Sequence, residues 1–208
     1  LFRWSAASDV FKRQIVGWGN EEIPVYTRFN QFMELAELET MQLIFSNTTE
    51  AGIAYCETDK LDDAPASSYP GKLTQWLYRR YQHFAGKDEA GLTIIPCELI
   101  DYNGEKLKEI VLQYCELWQL ESQFVDWLVN ANHFCSTLVD RIVTGFPKDE
   151  HAELQAKLGY ADNFMVTFEY FHLFVIQGPK SLESLFCPPN SELNINIVDD
   201  ISPITSVK

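Results

Sequence analysis

Two groups of polar side chains that could do chemistry come directly after short apolar runs. CELIDYNG, at 97–104, follows the run LTIIP at 92–96, and NTTEAG, at 47–52, follows the run MQLIFS at 41–46. An open α/β sheet binds its ligand in a crevice outside the carboxyl ends of its strands. The position of these polar groups therefore predicts a ligand crevice after the second run, with the loop after the first run as a further candidate for ligand contact.

The loop at 47–52 has two interpretations. Hydroxyl groups, an amide and a glycine at the end of a strand suit contact with a phosphate or a ribose. Alternatively, Thr48 or Thr49 caps the N-terminus of a helix, and Glu50 lies in the first turn of that helix. From the spacing alone we favour the helix cap.

The loop at 97–104 also has two interpretations. Glu98 or Asp101 could act as a general acid or base, and Asn103 could donate a hydrogen bond to a substrate oxygen. Asn103 followed by Gly104 is also typical of a simple turn, and taken alone this is the interpretation we favour. Cys97 has no visible partner base, so its default role is that of a small buried hydrophobic residue.

Asp140 is a third candidate, because with Arg141 it interrupts the apolar run from Leu138 to Val143. Burying a charge is costly unless the charge is paired or used in function. A structural ion pair and a functional carboxylate fit the pattern equally well. Neighbouring residues on an extended segment point to opposite faces, so we do not expect Arg141 to be the partner of Asp140.

The elements that must position these residues alternate between strands and helices. Apolar residues at helical spacing predict helices over 28–39, from Lys72 to Phe84 and after Gly104, and the runs at 41–46 and 92–95 predict buried strands. Further strands are predicted at 173–176 and 193–198, and further helices at 123–130 and 149–158. Strands joined by a crossover helix are most simply parallel. We therefore expect an α/β fold with a parallel sheet and flanking helices.

Composition narrows the classes of partner. The chain has 208 residues, 46% of them hydrophobic, and a net charge of -14. Nucleic acid and anionic membrane surfaces attract basic patches, so we expect neither as a partner. The five cysteines are odd in number and show no zinc spacing, which favours a reducing cytoplasm and no metal site.

The two ends of the sequence look unlike the rest. Residues 1–14 show neither strand nor helix periodicity, so we interpret them as a non-native leader. The chain stops at Lys208 without a helix stop signal. We expect a fragment at both ends.

Six blocks of the sequence, in order, closely resemble the mannitol dehydrogenase family of polyol-specific long-chain dehydrogenases. The resemblance covers about residues 15–208. Its blocks are IFSNTTEAGI (44–53), DDAPASSYPGKLT (62–74), IIPCELIDYNG (94–104), FCSTLVDRIVTG (134–145), LFVIQGP (173–179) and NIVDD (196–200).

The resemblance implies the fold and the reaction. It implies the C-terminal half of a Rossmann-type domain over 15–130 and an extension over 131–208 that leads to the active site, with a helical C-terminal domain missing. The implied reaction is metal-free, NAD-dependent reduction of a sugar-acid ketone, tagaturonate to altronate, in cytoplasmic hexuronate catabolism. The partner would be a small sugar acid.

The resemblance also implies site residues. By the family's spacing the catalytic lysine falls on Lys208, the carboxylate that supports it falls on Asp140, and the asparagine that stabilises the oxyanion falls on Asn103. Thr48 and Glu50 fall on the loop that approaches the nicotinamide side of the cofactor. We add two neighbours on the strand-end loops to this cofactor-binding set, Asn47 and Cys97.

Two other functions are consistent with the sequence. A sibling enzyme would reduce fructuronate, or act on a plain polyol as a mannitol dehydrogenase does. A non-catalytic sugar-binding or interaction module would retain the fold without the reaction. NADH consumption by the complete gene product with each keto compound would separate the siblings, and an open reading frame that stops near residue 208 would favour the module.

Overall fold

The computed structural model describes residues 3–5, 13–15, 23–49, 51–186 and 194–205. These residues divide into two compact units. The larger unit takes its residues from 21–138 and from 174 onward, and the smaller unit takes its residues from 1–20 and 139–173. Whether the sequence-based division at residue 130 marks a domain boundary stays a prediction.

Strands and helices alternate through most of the chain. The strands are β1 Arg3–Ser5, β2 Arg13–Ile15, β3 Leu43–Ser46, β4 Thr93–Pro96, β5 His133–Phe134, β6 Ser136–Asp140, β7 Val143–Gly145, β8 Thr167–Phe168, β9 Leu173–Gln177 and β10 Ile195–Val198. The α-helices are α1 Phe29–Glu34, α2 Tyr69–His83, α3 Asn103–Leu117, α4 Ser122–Asn130, α5 His151–Leu158, α6 Glu183–Phe186 and α7 Ser202–Thr205. Short 3-10 helices cover Leu35–Glu37, Asp88–Ala90 and Lys180–Leu182.

The larger unit is built around two three-stranded sheets, with the strand orders β3-β4-β5 and β10-β9-β6. β3 pairs with β4 in parallel, with Ile44 opposite Ile94, and β4 pairs in parallel with β5. β10 pairs in parallel with β9, which lies next to β6. Only Cys135 separates β5 from β6, so the extended segment 133–140 links the two groups of strands. The parallel arrangement of β3 and β4 predicted from their crossover connection is confirmed.

Both faces of the β3-β4-β5 sheet are covered, as expected for parallel strands. Ile94 packs into a hydrophobic cluster with residues of α2, α3 and α4. Its neighbour Ile95 points the other way, into a second cluster with Ile176 and Leu182. Burying a side chain of this size contributes about 1.5–3 kcal/mol, so adjacent residues of one strand stabilise both layers.

A buried arginine holds the segment that leads into β3. The guanidinium of Arg80, on α2, donates hydrogen bonds to the carbonyls of Ala36, Leu38 and Ala90, at 3.0, 2.9 and 2.6 Å. It also lies over the ring of Phe84, 4.7 Å from the ring centre. Backbone carbonyls thus take the place of a carboxylate partner and fix the loop against the helix.

The loop before α2 is held by a buried carboxylate. Asp59 accepts hydrogen bonds from the N–H and hydroxyl of Ser67, from the N–H of Ser68 and from the hydroxyl of Tyr114 on α3. Burial opposes ionisation of Asp59, but the hydrogen bonds from Ser67 and Ser68 outweigh it and hold its pKa well below the usual range. The carboxylate therefore ties the loop to both helices.

The smaller unit contains the pairs that the sequence did not predict. β1 and β2 form an antiparallel ladder, with Trp4 opposite Gln14, although the sequence there shows no strand periodicity. The interpretation of residues 1–14 as a non-native leader stays a prediction. β7 and β8 also pair antiparallel, with Val143 opposite Phe168. Strands of two or three residues are too short to show a periodicity.

Helix boundaries shift slightly from those the pattern predicted. α2 begins at Tyr69 rather than Lys72, because Ser68 caps it by accepting a hydrogen bond from the N–H of Gly71 at 3.0 Å. α3 begins at Asn103 rather than after Gly104. No helix of the described ranges is long and apolar enough to cross a membrane.

Candidate functional site

An open pocket of about 410 Å³ lies at the carboxyl ends of β3 and β4. Two loops line it, the one that follows β3 with Asn47, Thr49 and Ala51, and the one that follows β4 with Cys97 and Leu99. Amide, hydroxyl and thiol groups thus stand beside an exposed leucine. The pocket lies at the strand ends from which the sequence predicted a crevice.

The two loops send alternate residues to the pocket and away from it. Between the lining residues, Thr48 donates hydrogen bonds to Oε1 of Glu98 through its N–H at 3.0 Å and through its hydroxyl at 2.9 Å. The hydroxyl of Ser46 donates to Oε2 of Glu98 at 3.0 Å. These bonds join the loops beneath the pocket.

The preferred interpretation of Thr48 and Thr49 as a helix cap was wrong. The described residues after β3 form a turn, and the next α-helix begins at Tyr69. The hydroxyl of Thr48, which a cap would direct to a backbone N–H, is bonded to Glu98 instead. Glu50, which was predicted to lie near the cofactor, falls outside the described residues.

Glu98 is too enclosed to act as a general acid or base on a ligand in this pocket. Its exposed fraction is 2%, and both carboxylate oxygens accept hydrogen bonds from the protein. Asp101, the other carboxylate of this loop, is exposed in a turn before α3. Of the two residues predicted as a general acid or base, Glu98 is therefore not supported in that role.

Asn103 lies at the start of α3 with its side chain fully buried. Its Nδ2 donates to the carbonyls of Pro96 and Glu98, at 3.1 and 2.9 Å, and to the hydroxyl of Thr137 at 3.0 Å. Its Oδ1 accepts from the N–H of Thr137 at 2.8 Å. These bonds brace the loop after β4 against β6 and leave no amide hydrogen directed to the pocket. The oxyanion role of Asn103 stays a prediction, and it would require breaking these bonds.

The start of α3 packs so closely on the β5–β6 junction that only glycine fits next to Asn103. A Cβ atom on Gly104 would lie 2.5 Å from the carbonyl carbon of Cys135. Asn103 and Gly104, which taken alone looked like a simple turn, therefore begin a helix. Gly104 permits the close approach of α3 to the β5–β6 junction, and this approach lets Asn103 reach Thr137.

The pocket loop after β3 contains a strained residue. Thr49 has a φ of 80°, in the left-handed region that costs a residue with a Cβ about 1–2 kcal/mol. Gly52 follows close by, and a Cβ there would lie 1.9 Å from the hydroxyl oxygen of Thr48. The loop keeps this shape only because its surroundings hold it.

Two ionisable groups near Glu98 are kept neutral. Burial, together with the charge of Glu98, raises the pKa of the Cys97 thiol to about 11. The hydroxyl of Tyr69 is buried. Burial in the first place raises its pKa well above the usual range; the side chain of Ser46 opposes this shift, and the charge of Glu98 adds to it. Neither group is ionised at neutral pH.

Asp140 is the last residue of β6 and is half-buried. Its carboxylate makes no hydrogen bond or ion pair within the described ranges. The guanidinium of Arg141 lies 3.7 Å from the ring centre of Phe168, and its Nε donates to the carbonyl of Glu169 at 3.4 Å. Arg141 is thus engaged elsewhere. Lys208, the predicted catalytic lysine, lies outside the described residues.

Sequence reasoning missed the hydrogen bonds that hold the site together. Ser46, Thr48 and Thr137 are polar residues on or next to apolar strands, and their buried partners lie 34 to 52 residues away. The signal that could have found them is the buried polar side chain itself, which must find a partner.

In the described part of the chain, no group of three or more His, Cys, Asp or Glu residues is arranged to hold a metal ion.

Comparison with known proteins identifies relatives of this chain. The family profile described as the mannitol dehydrogenase Rossmann domain matches residues 8–186. Over 184 residues, 88% of the chain, it is 57% identical to an altronate oxidoreductase of Escherichia coli and 55% identical to one of Yersinia enterocolitica. The chain spans 38% of the length of these relatives.

Solved structures share the fold. A D-sorbitol dehydrogenase in substrate-free form aligns with 88% of this chain and 38% of its own, with a TM-score of 0.66 and 20% identity. The mannitol 2-dehydrogenase of Pseudomonas fluorescens, in a ternary complex with NAD and D-mannitol, aligns with 86% of this chain and 37% of its own, with a TM-score of 0.67 and 16% identity. The Rossmann-type fold predicted from the sequence is confirmed. The chain belongs to the mannitol dehydrogenase family, as its sequence blocks predicted.

Proposed function

We propose that this protein is an NAD-dependent oxidoreductase that reduces tagaturonate to altronate. The observation that carries the proposal is the identity of 55–57% over 184 residues to proteins named altronate oxidoreductase. The matched length is 88% of the chain, which is far more than any single motif covers. Because the chain spans 38% of those relatives, the activity of the whole protein is an inference from this part of it.

We propose that the pocket at the ends of β3 and β4 takes the nicotinamide end of NAD. The crevice outside the carboxyl ends of parallel strands is where this class of sheet binds its ligand. Asn47 and Thr49 offer an amide and a hydroxyl to a carboxamide, and Leu99 offers an apolar surface to a ring. Thr48 would act from beneath the pocket, since its hydroxyl is bonded to Glu98.

Reduction of a ketone adds a hydride to carbon and a proton to oxygen, and NADH supplies the hydride. We propose that Lys208 supplies the proton and that Asp140 holds the lysine in place and in its protonated form. What supports this role is that Asp140 is half-buried and that its neighbour Arg141 contacts Phe168 and Glu169 instead.

The partner and the compartment follow from the same proposal. The partner would be a small sugar acid, and a net charge of -14 argues against nucleic acid as a further partner. We propose the cytoplasm as the compartment, supported by the free thiols of Cys56, Cys97, Cys115 and Cys135.

The test is NADH oxidation by the protein expressed from its complete gene, followed at 340 nm with tagaturonate, fructuronate and fructose. Tagaturonate should give a kcat/KM at least about tenfold above either competitor, a difference that corresponds to one well-placed polar contact. Preference for fructuronate or fructose would assign the protein to a sibling activity. Absence of oxidation with all three compounds would favour a non-catalytic module.

A further inference from the structure

We propose that Glu98 is a positioning residue, whose buried carboxylate holds the loop Asn47 to Thr49 in the shape that forms one wall of the strand-end pocket. The inference rests on the proposed function, because it assigns this pocket to the nicotinamide end of the cofactor. It adds a residue that does not itself touch the ligand and that acts through Thr48.

The contacts of Glu98 are directed at the loop after β3. Its Oε1 accepts both hydrogens that Thr48 can offer, from the N–H and the hydroxyl, and its Oε2 accepts the hydroxyl of Ser46 at the end of β3. The backbone ladder ends at this point, with the N–H of Cys97 donating to the carbonyl of Ser46 at 2.7 Å. After Ser46, therefore, it is the side chain of Glu98 that links Thr48 to the end of the neighbouring strand β4.

The loop needs such a tie. Thr49, which lines the pocket, has a φ of 80°. An exposed loop in a strained conformation relaxes unless neighbouring residues restrain it. Both hydrogen bonds of Thr48 act on the residue directly before the strained one, so they restrain the backbone where the strain occurs.

Glu98 is itself held rigidly. Its carbonyl accepts hydrogen bonds from Nδ2 of Asn103 at 2.9 Å and from the N–H of Ile100 at 2.8 Å. Asn103 is in turn bonded to Thr137 on β6. A chain of buried hydrogen bonds thus runs from β6 through Asn103 and Glu98 to the pocket loop, which is the kind of support that keeps a binding geometry fixed.

Filling space does not account for a carboxylate at this position. An apolar side chain would occupy the same volume without the cost of removing a charge from water. The carboxylate is accounted for by its ability to accept three hydrogen bonds from two segments at once.

The test uses paired variants in the protein expressed from its complete gene. Thr48→Val removes the hydroxyl bond to Glu98 at constant shape, and Thr48→Ser retains it. Glu98→Met removes both acceptors, and Glu98→Gln retains one for Thr48. Thr74→Val is the matched control, because it removes a buried hydroxyl bond of 2.8 Å to the carbonyl of Pro70 within α2.

The readouts are kcat and KM for NADH, with the melting temperature alongside. Displacing the nicotinamide while the rest of the cofactor still binds should lower kcat at least about tenfold and change KM for NADH less than about threefold. We expect this result for Thr48→Val and Glu98→Met. Thr48→Ser and Glu98→Gln should stay within about threefold of the wild-type kcat, and Thr74→Val should lower the melting temperature alone.

Equal kcat values for Thr48→Val and Thr48→Ser would overturn the proposal, as would a kcat loss in Thr74→Val as large as that in Thr48→Val. If Glu98→Met fails to fold, the Thr48 pair still decides. Amide hydrogen exchange of the segment 47–52 in the present chain provides a readout that does not depend on enzyme activity. Thr48→Val should accelerate the exchange of this segment, and Thr74→Val should leave it unchanged. If the wild-type protein oxidises no NADH, the proposed function fails, and the exchange rates still test whether Glu98 holds the loop.

Discussion

Replacing Asn103 with alanine separates a bracing role from a direct catalytic role. The substitution removes the hydrogen bond that Oδ1 accepts from the N–H of Thr137. It also removes the two amide hydrogens of Nδ2, which are shared among the carbonyls of Pro96, Glu98 and Thr137 and the hydroxyl of Thr137. The carbonyl of Pro96 keeps the hydroxyl of Thr137 as a donor, and the carbonyl of Glu98 keeps the N–H of Ile100. The N–H of Thr137 keeps no side-chain acceptor and is buried. Asn103→Ala therefore leaves one buried donor unsatisfied.

The size of the effect follows from these contacts. A buried N–H left without an acceptor costs about 1–3 kcal/mol, and two further lost hydrogen bonds cost about 1 kcal/mol each. The free energy of unfolding should fall by about 3–5 kcal/mol. For a chain of this size each kcal/mol lowers the melting temperature by roughly 2–4 °C, so the shift should be roughly 6–20 °C.

Asn132 offers a matched control. It is also buried, and its Oδ1 accepts a hydrogen bond from the N–H of Leu92 at 3.0 Å while its Nδ2 donates to the carbonyl of Trp127 at 3.2 Å. Asn132→Ala should therefore lower stability in the same way, but next to the amino end of β4 instead of its carboxyl end.

The assay is thermal unfolding of the present chain by circular dichroism, with kcat measured in the protein expressed from its complete gene. We expect both alanine variants to melt below the wild type and only Asn103→Ala to lower kcat as well. If Asn103→Ala melts at the wild-type temperature while kcat falls, the side chain is a direct donor to the substrate oxygen and the bracing account is refuted.

Two further predictions concern buried or half-buried carboxylates. The folded-state pKa of Asp59 lies below its unfolded value of about 3.9, so its contribution is complete above about pH 4 and is lost as the pH falls further. Asp59→Asn should lower the melting temperature by about 5–10 °C at pH 7, and the difference from wild type should narrow below about pH 4. The control Asp62→Asn, at an exposed position, should leave the melting temperature unchanged at each pH. Thermal melts between pH 7 and 3 test this, and a difference between Asp59→Asn and wild type that stays constant with pH would contradict it. Asp140→Ala in the complete gene product should lower turnover strongly and move the apparent pKa of the catalytic lysine downward in a pH–rate profile, because the carboxylate that stabilises the protonated lysine is lost. Low-melting Asp140→Ala protein with near-normal turnover in its folded fraction would instead make Asp140 a structural residue.

The sheet and its helices could be predicted because each has a local signal. The apolar runs at 41–46 and 92–95 correspond to β3 and β4, and the helical spacing of Leu73, Trp76 and Leu77 corresponds to α2. The parallel pairing of β3 and β4 follows from the length of the crossover connection between these two strands.

The arrangement within the site could not be predicted because it depends on distant partners. Thr48 looks like a helix cap when only its neighbours are considered, since the pattern of hydroxyl and acidic residues is the same. Its actual acceptor is Glu98, which lies 50 residues later. Asn103 likewise looks like part of a turn until Thr137, 34 residues later, is found to be its partner.

The central claim, that the strand-end pocket holds the nicotinamide end of NAD, is tested most directly by protection of Cys97. Cys97 lines the pocket, and because its pKa is about 11, alkylation by iodoacetamide is best followed at about pH 9. The rate at each cysteine is read by peptide mass spectrometry in the protein expressed from its complete gene, with Cys56, which does not line the pocket, as the internal control. Saturating NADH should slow alkylation of Cys97 at least about fivefold and leave Cys56 unchanged. An unchanged rate at Cys97, under conditions where NADH binding is measured independently, would contradict the claim.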